Sequence, residues 1–493
     1  MSTQKLKILF CASEALPFIK TGGLADVAGS LPDALQALGH DVAVLLPAYR
    51  SVFDGIDKYK KIGEFSVYGF GKAYQVNLLK VEDKALNIKA FLIDIPGLFN
   101  RAGGPYLAPD GKDWWDNGER FSIFSKAVVE MAMDRVGMKW KADVVHSNDW
   151  QTGLVPALLT LEADRPRTLF TIHNMAYQGN FPYSVFLSLV LPGYWWHRDG
   201  IEFHGGMSML KAGIMMSDKV TTVSPTYANE ICTKELAYGF EGVMKKCRDE
   251  GRLKGILNGI DTTIWNPEID TYIAANYTDK IRPTTSKAKN KEVLLTKLGA
   301  NIKVAKSKRP LLGFVGRLVA QKGIDLILEV LPDLIAHSQA NFVFVGSGDG
   351  YLEGALRYFA HQYPDRVFVY VGYSEELAHL VEAGADLFMM PSRFEPCGLN
   401  QIYSLAYGTP PIVNHTGGLA DTVVNASKEN IKLNRGTGFV FYEPTAFAVK
   451  ETIYYALGVY NQKTIWNEVR NVAMRQNFSW EKSAIAYNDL YLN

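Results

Sequence analysis

The chain has 493 residues, of which 47% are hydrophobic and 21% are charged, so a single compact core is excluded and two large domains are expected. Its 52 Lys and Arg residues nearly balance 51 Asp and Glu residues, for a formal charge of +1, which argues against nucleic acid or an anionic membrane as a partner. The four cysteines lack the spacing of a zinc site or disulfide framework and favour a cytoplasmic location, and no apolar run approaches the ~20 residues of a membrane span.

Short β-rich runs alternate with helical stretches through the first half of the chain, a pattern typical of a parallel sheet with crossover helices. The strands predicted in this half lie at residues 6–11, 42–46, 143–147, 168–172, 219–223 and 255–257. A polar stretch rich in Lys and Thr follows at about 278–308, with a helix-like segment near 292–298. This interruption of the alternating pattern indicates the junction between two domains.

The same alternation resumes in the second half, with strands predicted at 311–315, 341–345, 367–371, 387–390, 411–414 and 438–441, and only helix beyond 445. We therefore predict an α/β chain with two doubly wound, Rossmann-like domains, at 1–260 and 261–475, that face a central cleft. A C-terminal helix within 476–493 is predicted to cross back to the first domain. Because ligands of open α/β sheets bind at the carboxyl ends of the strands, the site is expected there.

One hexapeptide, Thr-Gly-Gly-Leu-Ala-Asp, occurs at both 21–26 and 416–421, each time between an apolar run and a helix-like stretch. Paired glycines allow a sharp turn that brings backbone N–H groups and a helix N-terminus close to an anion. Either copy alone is explained by a tight turn, but an identical repeat favours a shared site. Beside the first copy, Lys20 is positioned to reach a phosphate or a sugar hydroxyl, unless it is only a solvated surface lysine.

Other polar side chains follow predicted strands of the first half. Asp149 and Trp150 come after the strand at 143–147, and an aromatic ring next to a carboxylate suits carbohydrate, although the pair alone is weak evidence. His173 and Asn174 follow the strand at 168–172 and offer hydrogen-bonding groups at the same edge. A lone histidine in such a position is more often structural, and the largely apolar strand before it favours a functional role.

Two cations of the second half, Arg317 and Lys322, lie between a strand and a helix, where they can converge on one diphosphate. Solvated loop charges are the alternative. The segment 391–399 follows another apolar strand, and its backbone N–H groups and Glu395 are candidates for binding a sugar or phosphate. The glycine-rich segment 346–350 is interpreted as a turn.

Three motifs, at 20–27, 392–399 and 415–423, resemble the signatures of bacterial glycogen synthases and plant starch synthases. The resemblance covers essentially the whole chain and implies the GT-B architecture. It implies a retaining glucosyltransferase that needs neither metal nor cofactor, uses ADP-glucose, releases ADP and extends the non-reducing end of glycogen or another α-1,4-glucan. No transit-like extension precedes the first motif, so the bacterial cytosolic branch is the closer match.

The resemblance also implies roles for individual residues. It assigns Lys20 to the ADP-glucose site, with Gly22 and Gly23 beside the donor, and it places Asp149 near the reacting sugars and His173 at the glucosyl 6-hydroxyl. It assigns Arg317 and Lys322 to the diphosphate and Tyr373 to the adenine. The glucose-binding loop that it implies contains Glu395, Cys397, Gly398 and Leu399. Trp150 and Asn174, from the strand ends described above, and Thr416 and Gly417, from the second copy of the hexapeptide, complete the predicted substrate-binding set. Many retaining GT-B enzymes carry a second glutamate where this chain has Tyr403. The starch synthase branch resembles this chain in lacking that glutamate.

No carboxylate is clearly placed as a nucleophile, so front-face displacement is the expected mechanism. Three alternatives remain: a GT-B transferase with another nucleotide sugar or acceptor, a non-catalytic glucan-binding or scaffold protein, and a pyridoxal-phosphate phosphorylase. The second would normally have lost some of the charged site residues, all of which are present. The third lacks a recognisable cofactor-lysine motif.

Overall fold

The computed structural model describes residues 4–83 and 87–492. The chain divides into two compact units: unit 1 comprises Met1–Gly259 and Trp480–Asn493, and unit 2 comprises Ile260–Ser479. The polar stretch at 278–308 therefore lies wholly within unit 2. In the described part of the chain, none of the helices has both the length and the apolar character needed to cross a lipid bilayer.

Unit 1 is built on a large, mostly parallel sheet. Its strands are β1 (Lys7–Cys11), β2 (Asp41–Pro47), β3 (Tyr59–Gly69), β4 (Lys72–Val81), β5 (Lys89–Asp94), β6 (Val144–Asn148), β7 (Arg167–Ile172), β8 (Asn180–Pro182), β9 (Glu202–Phe203), β10 (Gly206–Ser208), β11 (Lys219–Thr222) and β12 (Leu253–Gly255). Within the described residues the main sheet has the order β12-β11-β7-β6-β1-β2-β5-β4-β3, and β8-β10-β9 form a small antiparallel sheet.

The strands from β12 to β5 are parallel, whereas β4 and β3 extend the edge in antiparallel fashion. In chain order, the parallel strands follow the doubly wound arrangement 3-2-1-4-5-6, with β12 added as a seventh, and the winding reverses between β1 and β6. The central strands β1 and β2 are nearly continuous apolar runs, because helices cover both faces of such a sheet.

The helices of unit 1 are α1 (Gly23–Ala37), α2 (Arg50–Gly55), α3 (Asn117–Ala132), α4 (Leu154–Leu159), α5 (Tyr183–Ser188), α6 (Met209–Met216), α7 (Pro225–Glu230), α8 (Glu241–Asp249) and, from the C-terminus, α19 (Trp480–Leu492). Helix α19 packs on α1 and buries Trp480, Tyr487 and Tyr491 in the core of unit 1. The Tyr491 hydroxyl also lies 2.8 Å from His146 Nδ1 on β6. The predicted return of the C-terminal helix to the first domain is confirmed.

Unit 2 repeats the doubly wound plan with an all-parallel sheet. Its strands are β13 (Leu311–Val315), β14 (Asn341–Gly346), β15 (Val367–Val371), β16 (Leu387–Met390), β17 (Pro411–Asn414) and β18 (Phe439–Phe441). Among the described residues their order is β15-β14-β13-β16-β17-β18, again 3-2-1-4-5-6, so the winding reverses between β13 and β16.

The helices of unit 2 are α9 (Pro283–Lys297), α10 (Ile302–Ala305), α11 (Ile324–His337), α12 (Gly350–Gln362), α13 (Glu375–Gly384), α14 (Asn400–Ala406), α15 (Gly417–Thr422), α16 (Lys428–Lys432), α17 (Ala446–Asn461) and α18 (Lys463–Met474). The helix-like segment predicted near 292–298 is the end of the longer α9. Lys287 of this helix is buried and donates to the backbone carbonyl oxygens of Glu382, Ala383 and Tyr407. A lysine-rich sequence therefore forms part of the interior because the ammonium group finds carbonyl acceptors.

Four strands of unit 2 match the sequence prediction residue for residue: β13, β15, β16 and β17. The strand predicted at 255–257 was placed too late in the chain, because β12 ends at Gly255. At Gly255 the backbone lies so close to Ser224 that a Cβ would be 2.3 Å from the Ser224 carbonyl oxygen. Strands β3 to β5 and the small antiparallel sheet were not predicted. The α/β fold class with two Rossmann-like domains is confirmed.

Candidate active site

The first copy of the repeated hexapeptide forms the corner between β1 and α1, and Glu14 closes this corner. One carboxylate oxygen of Glu14 accepts hydrogen bonds from the backbone N–H groups of Thr21 and Gly22, the latter at 3.0 Å. The other accepts from the hydroxyl groups of Thr21, at 2.8 Å, and Tyr106, at 3.0 Å. Two N–H groups that the sequence suggested for an anion are therefore used within the protein. Glu14 was not predicted, although a carboxylate in the loop that follows an apolar strand is a usable signal.

The glycines of this corner are not required by its packing. A Cβ built on Gly22 or Gly23 would have no protein atom within 4 Å, and neither residue has a positive φ angle. Lys20 lies beside them, with its ammonium group 2.8 Å from the carboxylate of Asp26 and about a third (34%) of its side chain exposed. Open space over a glycine backbone permits the close approach of a ligand.

The Asp149 carboxylate binds the backbone of the loop that follows β7. Asp149 itself follows β6 with a φ angle of 56°, and its Oδ1 accepts a hydrogen bond from the backbone N–H of His173 at 2.7 Å. The N–H of Asn174 also donates to this carboxylate. Burial raises the pKa of Asp149 to about 7, while the two N–H donors act in the opposite direction. The carboxylate thus positions residues 173 and 174.

The Asp149→Asn variant is expected to be more heat-stable than the parent, by a margin that grows from pH 5 to pH 8. The folded pKa of about 7 exceeds the ordinary value of 3.8. The contribution of Asp149 to the free energy of unfolding is therefore complete below pH 3.8 and is lost as the pH rises through 7. Asparagine keeps an acceptor for the His173 N–H but has no charge to desolvate. Since a tenfold change in acidity corresponds to about 1.4 kcal/mol, the gain reaches a few kcal/mol at most.

Melting temperatures of both proteins at several pH values test this expectation. Asp164→Asn serves as the control, because that carboxylate is 92% exposed and water screens its surface ion pair with Lys141. A constant difference between Asp149→Asn and the parent across this pH range would contradict the assignment.

His173 follows β7 and is oriented through both its backbone and its ring. Its Nε2 lies 2.9 Å from Oδ1 of Asn148, the last residue of β6. Burial lowers the pKa of His173 to about 3, so the ring is neutral at physiological pH. Asn148 was not predicted, because it follows two other polar residues of β6, His146 and Ser147, and does not stand out from them.

Trp150 packs inside unit 1. Its ring meets Phe121 edge-on, with centroids 5.0 Å apart, and Phe181 at 5.7 Å. A Cβ on Gly179 would lie 2.5 Å from the Trp150 ring. These contacts favour a packing role, and the stacking of Trp150 on a sugar stays a prediction.

Lys322 and Glu395 form the centre of the site in unit 2. Lys322 lies between β13 and α11, Glu395 follows β16, and their Nζ and Oε2 atoms are 2.6 Å apart. Only 19% and 9% of these side chains are exposed, so water screens the pair weakly. Ser392 donates a second hydrogen bond to the same carboxylate oxygen, at 3.0 Å. The sequence predicted both residues but not their pairing.

The two loops that carry this pair are fastened together along their length. Arg393 makes a two-pronged ion pair with Asp325, at 2.8 and 2.6 Å, and Gln321 donates to the carbonyl oxygen of Phe394 at 3.0 Å. Gly323 has a φ angle of 72°, and a Cβ there would lie only 2.1 Å from the Pro391 carbonyl oxygen. The Lys322–Glu395 pair is therefore held on a rigid support.

The second copy of the hexapeptide packs against the Glu395 loop. Gly417 has a φ angle of 44°, and a Cβ on it would lie 2.0 Å from the Glu395 carbonyl oxygen. Gly418 donates its N–H to that oxygen at 3.1 Å. On the other side, Gln401 Nε2 donates to the carbonyl oxygens of Cys397, at 2.9 Å, and Gly398, at 3.0 Å. Here both glycines are required by close backbone packing.

Comparison with known proteins identifies the chain. The family described as starch synthase catalytic domain matches residues 7–246, and the family described as glycosyl transferases group 1 matches residues 300–468. The glycogen synthase of Hydrogenovibrio crunogenus is 56% identical over 487 residues and covers 99% of both chains. The chain belongs to the starch and glycogen synthase family.

Further relatives agree with this membership. The glycogen synthase of Thioalkalivibrio sulfidiphilus is 47% identical over 99% of both chains. The solved catalytic domain of starch synthase IV from Arabidopsis thaliana, bound to ADP and acarbose, is 31% identical, with a TM-score of 0.89 over 99% of both chains. The family resemblance and the GT-B fold are confirmed, and the chain is a glycosyltransferase.

The remaining predicted residues of this synthase lie in separate loops at the same edge of the unit 2 sheet. Arg317 follows β13, is exposed and, among residues 4–83 and 87–492, makes no ion pair. Tyr373 follows β15, is 75% exposed and donates its hydroxyl to Glu375. Leu399 immediately precedes α14, and Thr416 immediately precedes α15.

Tyr403 stands where many retaining GT-B enzymes carry a glutamate, and its side chain packs in the interior of unit 2. The Tyr403 ring stacks on Trp265, with centroids 3.7 Å apart and planes inclined by 8°. Trp265 stacks in turn on His379 at 3.8 Å. The Tyr403 side chain is buried in unit 2, so a packing aromatic stands where those enzymes have a carboxylate.

Proposed function

We propose that this synthase transfers glucose from ADP-glucose to the 4-hydroxyl at the non-reducing end of glycogen or another α-1,4-glucan, with retention of configuration. The observation that carries the proposal is the shielded Lys322–Glu395 pair at the point where the unit 2 sheet reverses its winding. The glycogen synthase names of the relatives, and the ADP bound to the Arabidopsis neighbour, support this donor and acceptor.

Lys322 supplies positive charge for the departing ADP. As the bond between the anomeric carbon and the phosphate oxygen breaks, negative charge grows on the diphosphate, and a fixed cation in a shielded site stabilises it strongly. Arg317, which is exposed, adds a second cation. Glu395 accepts hydrogen bonds from hydroxyl groups of the glucosyl unit. Charge from these cations makes a metal ion or other cofactor unnecessary in this proposal.

The acceptor attacks from the face that ADP leaves. The acceptor 4-hydroxyl oxygen forms the new bond to the anomeric carbon, the carbon–phosphate oxygen bond breaks, and the departing phosphate oxygen takes the hydroxyl proton. The buried Asp149 carboxylate is engaged by two backbone N–H groups, which supports a positioning role rather than attack on the sugar.

In unit 1, Lys20, the open corner at Gly22 and Gly23, and His173 with Asn174 are proposed to bind the donor and its sugar. In unit 2, Tyr373 is proposed to stack on adenine, while Cys397, Gly398 and Leu399 shape the glucose-binding loop with Thr416 and Gly417. The four cysteines are buried thiols, which supports the cytoplasmic location expected from the sequence.

Donor comparison tests the proposal and separates it from a transferase for another nucleotide sugar. Incorporation of labelled glucose into glycogen is measured with ADP-glucose, UDP-glucose and GDP-glucose under identical conditions. We expect the highest kcat/KM with ADP-glucose and release of one ADP per glucose incorporated. Preference for another nucleotide, or binding of glycogen without incorporation from any donor, would overturn it.

A further inference from the structure

Asn148 and His173 lie side by side at the carboxyl ends of neighbouring parallel strands. Asn148 ends β6 opposite Thr171 of β7, and His173 comes two residues later. Asn148 is completely buried, whereas His173 is half-buried. One side chain is thus fixed in the core, while the other lies at the carboxyl edge of the sheet, the edge where open α/β sheets bind their ligands.

The amide of Asn148 can adopt only one orientation. Its Nδ2 lies 3.0 Å from the backbone carbonyl oxygen of Cys11 on β1, and a carbonyl oxygen only accepts hydrogen bonds. The amide oxygen must therefore be the atom that faces the His173 ring, at 2.9 Å from Nε2. The same Nδ2 also lies 3.4 Å from the His146 carbonyl oxygen, so a rotated amide would bring its oxygen close to two carbonyl oxygens.

This orientation determines the state of the imidazole. The Asn148 amide oxygen only accepts, so His173 Nε2 must carry the hydrogen. The ring is neutral because burial lowers its pKa to about 3, and a neutral ring with a hydrogen on Nε2 has a lone pair on Nδ1. Within residues 4–83 and 87–492, His173 Nδ1 accepts no hydrogen bond.

We propose that Asn148 is a positioning residue that fixes His173 as the Nε2–H tautomer, so that Nδ1 accepts a hydrogen bond from one hydroxyl of the transferred sugar. The sugar part of this inference rests on the proposed function, and the tautomer part does not. In the opposite tautomer, the Nε2 lone pair would face the amide oxygen and Nδ1 would be a donor. Asn148 thereby determines whether His173 Nδ1 accepts a hydrogen bond from a hydroxyl group or donates one to it.

The tautomer is measured on the complete protein labelled with 15N-histidine, by two-dimensional NMR correlating ring carbons and nitrogens. The His173→Gln spectrum assigns the signals. We expect the unmodified protein to show a protonated Nε2 and an unprotonated Nδ1 for His173, and Asn148→Leu to show a mixture of tautomers. A protonated Nδ1 in the unmodified protein would overturn the proposal without recourse to any variant.

Kinetics test the consequence for the sugar. ADP-glucose analogues that each lack one hydroxyl are compared for the unmodified protein and Asn148→Leu. We expect one analogue to lose roughly five- to tenfold in kcat/KM with the unmodified protein, the size of one hydrogen bond. The same analogue should lose less than about twofold with Asn148→Leu, because the variant no longer holds the acceptor.

Thr171→Val is the matched control. Thr171 lies on β7 directly opposite Asn148, and its hydroxyl contacts Nε2 of His146 at 2.7 Å rather than the His173 ring, so this variant should change neither the His173 tautomer nor the discrimination among analogues. Equal discrimination by Asn148→Leu and the unmodified protein would overturn the proposal. If ADP-glucose is not a donor, the proposed function fails while the NMR result still decides the tautomer.

Discussion

Replacing Lys322 by alanine is expected to lower kcat by ~10²–10³, the usual cost of removing one preorganised contact with developing charge. The effect is large because the Lys322 ammonium is shielded from water and only 2.6 Å from the Glu395 carboxylate. The variant loses the cation for ADP and also leaves a negative group without its partner. Initial rates at saturating ADP-glucose measure the loss, and the KM for glycogen should remain within about twofold.

Lys297→Ala is the matched control for this variant. Lys297 forms an ion pair with Glu376 at 2.9 Å in the same unit, but both side chains are nearly half exposed, at 44% and 48%. Such surface pairs contribute about 0–1 kcal/mol, so activity and melting temperature should match those of the parent. Normal turnover by Lys322→Ala with intact ADP-glucose binding would contradict the role assigned to Lys322.

Alanine at Gly22 and at Gly417 is expected to have opposite consequences, although both residues occupy the same place in the repeated hexapeptide. Gly417 has a positive φ angle and lies against the Glu395 carbonyl oxygen, so alanine there forces the backbone to shift. Overpacking of this kind costs about 1–3 kcal/mol, and the shift also displaces Glu395. Gly417→Ala should therefore show both a lower melting temperature and a loss of most activity.

Gly22→Ala should fold as the parent does, because a Cβ there meets no protein atom within 4 Å. If the donor approaches this corner closely, the added methyl group weakens its binding, and we expect the KM for ADP-glucose to rise at least tenfold. Melting curves and steady-state kinetics of both variants separate the two effects. Full activity of Gly22→Ala would show that no ligand uses this corner, and an unchanged melting temperature for Gly417→Ala would contradict its packing role.

The sequence predicts the sheet of unit 2 well, because each of its strands is a short apolar run. Strand β16, for example, has all four residues buried. Strands β3 and β4 were not predicted, since many of their side chains are exposed and their lysines, with Glu64 and Gln75, resemble loop sequence. Such strands are recognisable only from their antiparallel pairing, which depends on the rest of the fold.

The sequence identified candidate residues of the site but did not show which of them are in contact. Lys322 and Glu395 are separated by 73 residues and meet because β13 and β16 are neighbours in the sheet, an arrangement that local sequence does not reveal. The repeat suggested two similar anion-binding corners, but Glu14 occupies the N–H groups of one and the Glu395 loop packs against the other. Identical hexapeptides thus acquire different partners from their surroundings.

The central claim is that this chain adds glucose from ADP-glucose to a glucan, with the Lys322–Glu395 pair assisting the departure of ADP. The most direct measurement is NMR of the product formed from ADP-glucose labelled with ¹³C at the anomeric carbon and a short α-1,4-glucan. We expect labelled glucose at the non-reducing end in α-1,4 linkage, one ADP released per residue added, and almost no product with Lys322→Ala. A β-linked product, or no transfer by the unmodified protein, would contradict the account.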